Sequence, residues 1–311
     1  MDVVPLNSSQ ATALASLPNA LANWFRESFG SPTPAQRQSW PVIARGDSLL
    51  LSAPTGTGKT LAAMMPILGR LSEEISFTSS IRCLYLAPLK ALVNDLNRSL
   101  DRHLQSMGLN LEIATRTGDT SGTNRKRLWE EPPDILLTTP ESLAILLSHA
   151  ESHDLFSDLS TIIVDEIHSL VGSKRGADLT LSMERLEEIS VHSIQRIGLS
   201  ATSTPLSESA RFLVGARDCV IAEVTDHSPM ELSILPLHDE PGFLRRLLDH
   251  LEPELIENRS ILIFTNTRGL AERLAWQLRH RHTHWNDQIA VHHSSLAVER
   301  RREVERRFQG G

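Results

Sequence analysis

An apolar run, Leu49-Leu50-Leu51, leads into Ala53-Pro54-Thr55-Gly56-Thr57-Gly58-Lys59-Thr60. A loop that turns successive backbone N–H groups inward cradles a polyphosphate, and it needs glycine where a Cβ would strike an oxygen. Gly56 and Gly58 supply those positions, with Thr55 and Thr57 beside them. Lys59 then carries a point charge toward the β and γ phosphates and Thr60 offers its hydroxyl to Mg²⁺. A helix starting there turns its positive end to the anion. Ala53 stands where the strict pattern has glycine, which removes little, because the sharpest turn comes later in the loop. The bland alternative, a glycine loop with no ligand, is disfavoured by the strand before it and the helix after it.

A second run, Ile162-Ile163-Val164, ends in Asp165-Glu166-Ile167-His168. Open α/β sheets bind ligands at the carboxyl ends of their strands. Asp165 there suits Mg²⁺ held through water, and Glu166 suits orienting or deprotonating an attacking water. An isolated acidic pair is as readily a solvated strand edge. The phosphate loop earlier in the chain shifts that balance. A third run, Ile197-Gly198-Leu199, closes in Ser200-Ala201-Thr202. Ser200 and Thr202 are expected to hydrogen-bond Asp165 or His168 and so couple the phosphate state to the rest of the chain. His168 joins Lys59, Asp165 and Glu166 as the candidate catalytic set.

These loops need strands to carry them. Apolar runs at 49–51, 83–87, 135–137, 162–164 and 197–199 lack alternation, the mark of parallel strands covered on both faces. Between them, 60–71, 89–105 and 174–189 repeat apolar residues at spacings of three and four, as helices do. The expectation is a doubly wound α/β domain, preceded by helical patterns at 14–29. Residues 1–225 form that first part and 226–242, rich in Asp, His, Pro and Glu, form a linker. Residues 243–311 read as helix (243–255), strand (261–265), helix (270–279), strand (289–292) and helix (298–308). So thin a core predicts marginal stability.

The 311 residues are 40% hydrophobic, enough for two real cores at roughly 150 residues per domain. Aromatics make up 5%, which argues against a ligand held mainly by stacking. The net charge of −7 argues against a basic coat, although a sum over the chain hides local stripes. Cys83 and Cys219 are too few for a metal quartet and read as core thiols of a reduced, cytoplasmic protein. The first residues lack a basic segment followed by an apolar one, and no stretch reaches the roughly 18 apolar residues of a membrane span. His280, His282 and His284 alternate at a helix end without a carboxylate or thiol, a poor metal site. Arg125-Lys126-Arg127 reads as a solvated face.

Further stretches join the pattern: Thr33-Pro34-Ala35-Gln36 with Trp40, Ala87-Pro88-Leu89-Lys90-Ala91-Leu92, Arg116-Thr117-Gly118-Asp119-Thr120, Thr138-Thr139-Pro140-Glu141-Ser142 and Lys174-Arg175-Gly176-Ala177-Asp178. With the two phosphate-site motifs they resemble a superfamily 2 DExH-box helicase, most closely the large helicase-related (Lhr) group of ATP-dependent DNA helicases, over about residues 29–308. The resemblance implies a complete RecA-like doubly wound parallel-sheet domain, a P-loop NTPase, followed by an incomplete second RecA-like domain. It implies ATP and Mg²⁺ as cofactors and makes Gln36 the reader of adenine, whose edge an amide matches by both donating and accepting. It assigns nucleic-acid contacts to Pro88, Lys90, Arg116, Thr139, Pro140, Lys174 and Arg175 in the first domain. In the second, 261–268 resembles motif IV and 291–296 the stretch before motif V, which adds Thr265, Arg268 and His293. Ser294 stands where the family usually has glycine.

The partner implied is single-stranded or partly duplex DNA, with RNA open, and the reaction is ATP hydrolysis coupled to 3′-to-5′ movement. DNA repair is the role the family implies. In such helicases motifs V and VI bring arginines to the γ-phosphate, an effect worth about 10³ to 10⁵ in rate. Neither motif is present by Gly311, and Arg300, Arg301, Arg302, Arg306 and Arg307 alternate with Glu299, Glu303 and Glu305 as on an exposed helix. The chain is therefore expected to bind ATP and single strands while turning over slowly, unless a protein partner supplies the missing motifs. A non-catalytic ATP-binding regulatory module is the alternative. A small-molecule kinase lacks acceptor and lid segments and leaves the DEIH and SAT stretches unexplained.

Overall fold

The computed structural model describes residues 9–74, 80–201, 205–225, 232–236, 241–293 and 295–310. The chain divides into two compact units, Met1–Ser228 and Pro229–Gly311.

The first unit opens with α1 (Gln10–Ala15), α2 (Asn19–Phe29) and α3 (Pro34–Ala44). Strand and helix then alternate: β1 (Leu49–Ser52), α4 (Lys59–Glu73), β2 (Cys83–Leu86), α5 (Lys90–Met107), β3 (Ile113–Arg116), α6 (Gly122–Glu130) and β4 (Ile135–Thr138). After α7 (Pro140–Leu147) and α8 (Ser152–Phe156) come β5 (Thr161–Val164), α9 (Lys174–Ile189), β6 (Gln195–Ser200), α10 (Leu206–Val214) and β7 (Val220–Glu223). The strands form one sheet in the order β3-β4-β2-β5-β6-β1-β7, and every pairing is parallel.

The apolar runs become central strands because both faces are covered, and alternate residues sort between two cores. Leu49, Leu51, Cys83, Tyr85, Ile163 and Ile197 share one core with α4 residues such as Ala63 and Ile67. Leu50, Leu84, Leu86, Ile162 and Val164 face the other, with Leu143, Leu179 and Leu213 from α7, α9 and α10. The N-terminal helices add a third cluster, in which Trp40 meets Phe25 edge-on at 4.9 Å. The Trp40 indole donates 3.2 Å to the carbonyl of Leu61, tying α3 to the first turn of α4. Cys83 and Cys219 are both buried and free, as expected of core thiols. No helix among the described residues is long and apolar enough to cross a membrane.

In the second unit, α11 (Phe243–Glu257), α12 (Arg268–Arg281) and α13 (Val298–Gly310) match the predicted helices. The strands expected at 261–265 and 289–292 are a correction: among the described residues neither segment pairs as a strand. Leu262 and Phe264 are 63% and 88% exposed. Apolar composition supplies strand propensity, but a parallel pair needs neighbours and a covered face, and two strands alone provide neither. The core here is small, built on Leu248, Leu274 and Leu278.

Candidate functional site

Sheet order brings the three motifs together. β6 lies between β1 and β5, parallel to both, with Ser52 opposite Ser200 and Val164 opposite Gly198. The phosphate loop, the DEIH turn and Ser200-Ala201 thus lie at the same edge of the sheet on adjacent strands, the crevice where such folds take ligands.

Gly56 and Gly58 adopt φ of +80° and +78°, left-handed backbone that favours glycine. At Gly58 space is also short, because a Cβ would lie 2.7 Å from Gln36 Nε2. The loop is hydrogen-bonded to itself: Thr57 Oγ1 donates to the Pro54 carbonyl at 2.8 Å, and Lys59 Nζ donates to the carbonyls of Ala53 and Pro54 at 2.7 and 3.1 Å. Burial pushes the Lys59 ammonium below its ordinary pKa, while the charges of Glu166 and Asp165 push it back up, so the lysine senses both carboxylates. From α3, Thr33 Oγ1 donates 2.8 Å to the Thr57 carbonyl.

Gln36 is buried, and both ends of its amide are engaged. Its Oε1 accepts from the Thr33 amide at 2.9 Å, closing a capping box at the start of α3, and Nε2 donates to the Gly58 carbonyl at 3.5 Å. The residue expected to read adenine braces the phosphate loop.

Asp165 follows β5, its amide donating to the Leu86 carbonyl of β2 at 2.8 Å. Oδ1 accepts from the Glu166 amide at 2.9 Å and Oδ2 accepts from the Tyr85 hydroxyl at 2.8 Å. Burial raises its pKa, and the Tyr85 hydrogen bond opposes that shift. Of the two partners expected for Ser200, the structure gives His168, with Nδ1 and Oγ 3.1 Å apart. His168 Nδ1 also lies 3.5 Å from Glu166 Oε2. Thr202 lies outside the described residues.

Hard oxygen donors fit Mg²⁺, which keeps several waters and takes one or two carboxylates plus phosphate oxygens. Asp165 and Thr60 offer oxygens of that kind, and the cost of burying the Asp165 charge is one a cation would relieve. No group of three or more His, Cys, Asp or Glu placed to hold a metal occurs among the described residues, His280, His282 and His284 included.

The nucleic-acid candidates separate. Pro88 and Lys90 follow β2, while Thr139 and Pro140 start α7 after β4, with Thr139 Oγ1 capping the Ser142 amide. Lys90 pairs with Asp119 at 2.7 Å and Lys174 is exposed at the start of α9. Arg116 is buried, donating to the Thr117 carbonyl at 2.6 Å. Arg175 binds Glu141 and donates 2.7 Å to the Pro88 carbonyl, so it joins the two loops. In the second unit Thr265 bonds the Thr267 carbonyl, Arg268 bonds Ser295, and His293 meets Glu272 at 2.9 Å. Arg125, Lys126 and Arg127 are exposed, the last two paired with Glu130 and Glu131. Tyr85 is the site residue that sequence reasoning missed, since an aromatic inside an apolar run reads as core.

Comparison with known proteins places this geometry. Residues 33–209 match the family model described as DEAD/DEAH box helicase. The ATP-dependent helicase Lhr-Core of Methanothermobacter thermautotrophicus is 40% identical over 94% of this chain, which spans 36% of that relative's length. The Lhr helicase/uracil glycosylase of Escherichia coli is 38% identical over 83% of this chain, corresponding to 19% of its own length. Among solved structures, Mycobacterium smegmatis helicase Lhr bound to ssDNA and AMP-PNP superposes with a TM-score of 0.83 at 34% identity, covering 96% of this chain and 41% of that one.

Proposed function

The chain belongs to the DEAD/DEAH box helicases, and from that premise we propose that it is the ATP-binding part of an Lhr-type DNA helicase. The reaction is ATP hydrolysis coupled to 3′-to-5′ movement along one strand. The domain bounds that go with this reading are 1–225, a linker at 226–242, and 243–311. The observation that carries it is the meeting of Lys59, Asp165 and the Ser200–His168 pair at one edge of the sheet. Thr55, Gly56, Thr57, Gly58 and Lys59 hold the phosphates. Thr60 and Asp165 hold Mg²⁺, which supplies charge neutralisation to the phosphate oxygens when bound. Glu166 takes the proton of the attacking water, and His168 passes the state of the site to Ser200.

One strand of DNA runs over the loops after β2 and β4, where the backbone amides at the start of α7 and the ammonium groups of Lys90 and Lys174 meet phosphates without reading bases. Arg175 supports that surface by holding the loops together. The solved relative bound to ssDNA supports this choice of partner.

The test is titration with a fluorescent ATP analogue in Mg²⁺, alongside Lys59→Ala. The unsubstituted chain binds, and the variant binds roughly tenfold or more weakly. Equal affinity would falsify the site. Anisotropy of labelled single-stranded DNA checks the second half: binding weakens as salt rises, because phosphate contacts release counterions.

A further inference from the structure

Tyr85 is the single tyrosine of the sequence. It sits inside β2, fully buried, and a buried phenol must find a partner for its hydroxyl. Its partner is the carboxylate of the DEIH turn, at 2.8 Å. The register makes this meeting unavoidable. β2 and β5 are parallel, Tyr85 lies opposite Ile163, and the carbonyl of Leu86 accepts the Asp165 amide at 2.8 Å. Asp165 therefore begins just beyond the strand end, within reach of a tyrosine two residues back in register. Phenylalanine would pack equally well in the core and leave Oδ2 without this donor.

The second oxygen is fixed as well, by the Glu166 amide at 2.9 Å. With a separate donor on each oxygen the carboxylate cannot turn about its Cβ–Cγ bond without breaking a charge-assisted hydrogen bond. The Tyr85 hydroxyl thus holds one of the two residues assigned to the cation.

We propose that Tyr85 is a positioning residue for the divalent-cation site, its hydroxyl holding the Asp165 carboxylate in the orientation that receives the hydrated cation of a bound nucleoside triphosphate. The inference rests on the nucleotide-site reading above. It separates two properties that a general packing role would move together: affinity for the nucleotide itself, which the phosphate loop supplies, and the response of that affinity to Mg²⁺, which passes through Asp165.

The experiment compares the full 311-residue chain with Tyr85→Phe, using a fluorescent ATP analogue titrated in EDTA and across a range of Mg²⁺ concentrations. The expected result is an unchanged affinity in EDTA with a Mg²⁺ midpoint raised roughly tenfold or more, the usual consequence of removing a hydrogen-bond partner from a metal ligand. An unchanged midpoint, or a parallel loss of affinity with and without Mg²⁺, overturns the proposal. If the variant fails to fold, the unsubstituted chain decides. Biosynthetic 3-fluorotyrosine gives one ¹⁹F resonance, expected to shift with Mg²⁺ and nucleotide together and to stay in place with nucleotide in EDTA. A resonance that ignores the cation counts against the role. Absence of nucleotide binding by the unsubstituted chain removes the site itself, and this inference with it.

Discussion

At Glu166 the backbone takes φ of +47°, the single positive value at a non-glycine among the described residues. Such a conformation costs on the order of 1–3 kcal/mol and persists only where the surroundings impose it. Here it accompanies the Glu166 amide bonding the carboxylate of the preceding residue. Gly58 is the opposite case, where left-handed backbone is free of cost because no side chain is present. Gly58→Ala should lower stability by about 1–2 kcal/mol, the usual cost of a Cβ in that region. It should also weaken nucleotide binding, because the new methyl would displace the Gln36 amide 2.7 Å away. A thermal melt and a nucleotide titration on the same variant check both effects.

Between elements, β6 and α9 are held by a charged clamp. Arg196 of β6, 1% exposed, donates 2.9 Å to Glu184 and 2.8 Å to Glu187 of α9, and Arg217 adds two bonds to Glu184. The Arg217 hydrogen bond, helped by Arg196, holds the Glu184 carboxyl at about 2 instead of 4.5. A carboxyl lowered on folding adds stability that is whole above pH 4.5 and fades as pH falls toward 2. The melting temperature of Glu184→Gln should therefore lie below that of the parent at pH 7 and converge on it near pH 2. A gap that persists in acid would disprove the clamp. The strands that sequence reading found, β1, β2, β4, β5 and β6, are those whose neighbours bury both faces. It missed β3 and β7, which lie at the two edges and mix polar with apolar residues, as in Ile113-Ala114-Thr115-Arg116. In the second unit the error ran the other way, since the run at 261–265 specifies apolar content but not the partner strands that would use it. The phosphate loop and the DEIH turn were legible because their chemistry fixes residue type and order. Tyr85 and the bracing by Gln36 were not, because each depends on a register between distant segments.

The two units differ in how much of each is interior. The first has three buried clusters around a seven-stranded sheet, whereas the second surrounds Leu248, Leu274 and Leu278 and leaves Trp276 57% exposed. Amide hydrogen exchange should divide accordingly, with α11, α12 and α13 exchanging roughly 100-fold faster than β1, β5 and β6. Uniform protection across both units would show that they unfold as one. Both thiols lie in the better-protected unit, with burial raising Cys83 to about 12 and Cys219 to about 11. The thiolate is the form that attacks alkylating reagents, so the folded chain should be silent toward maleimides at neutral pH. A cysteine introduced on each surface would then accept dyes alone, and the distance between the two labels would follow the units as nucleotide and DNA are added, on an otherwise natural sequence.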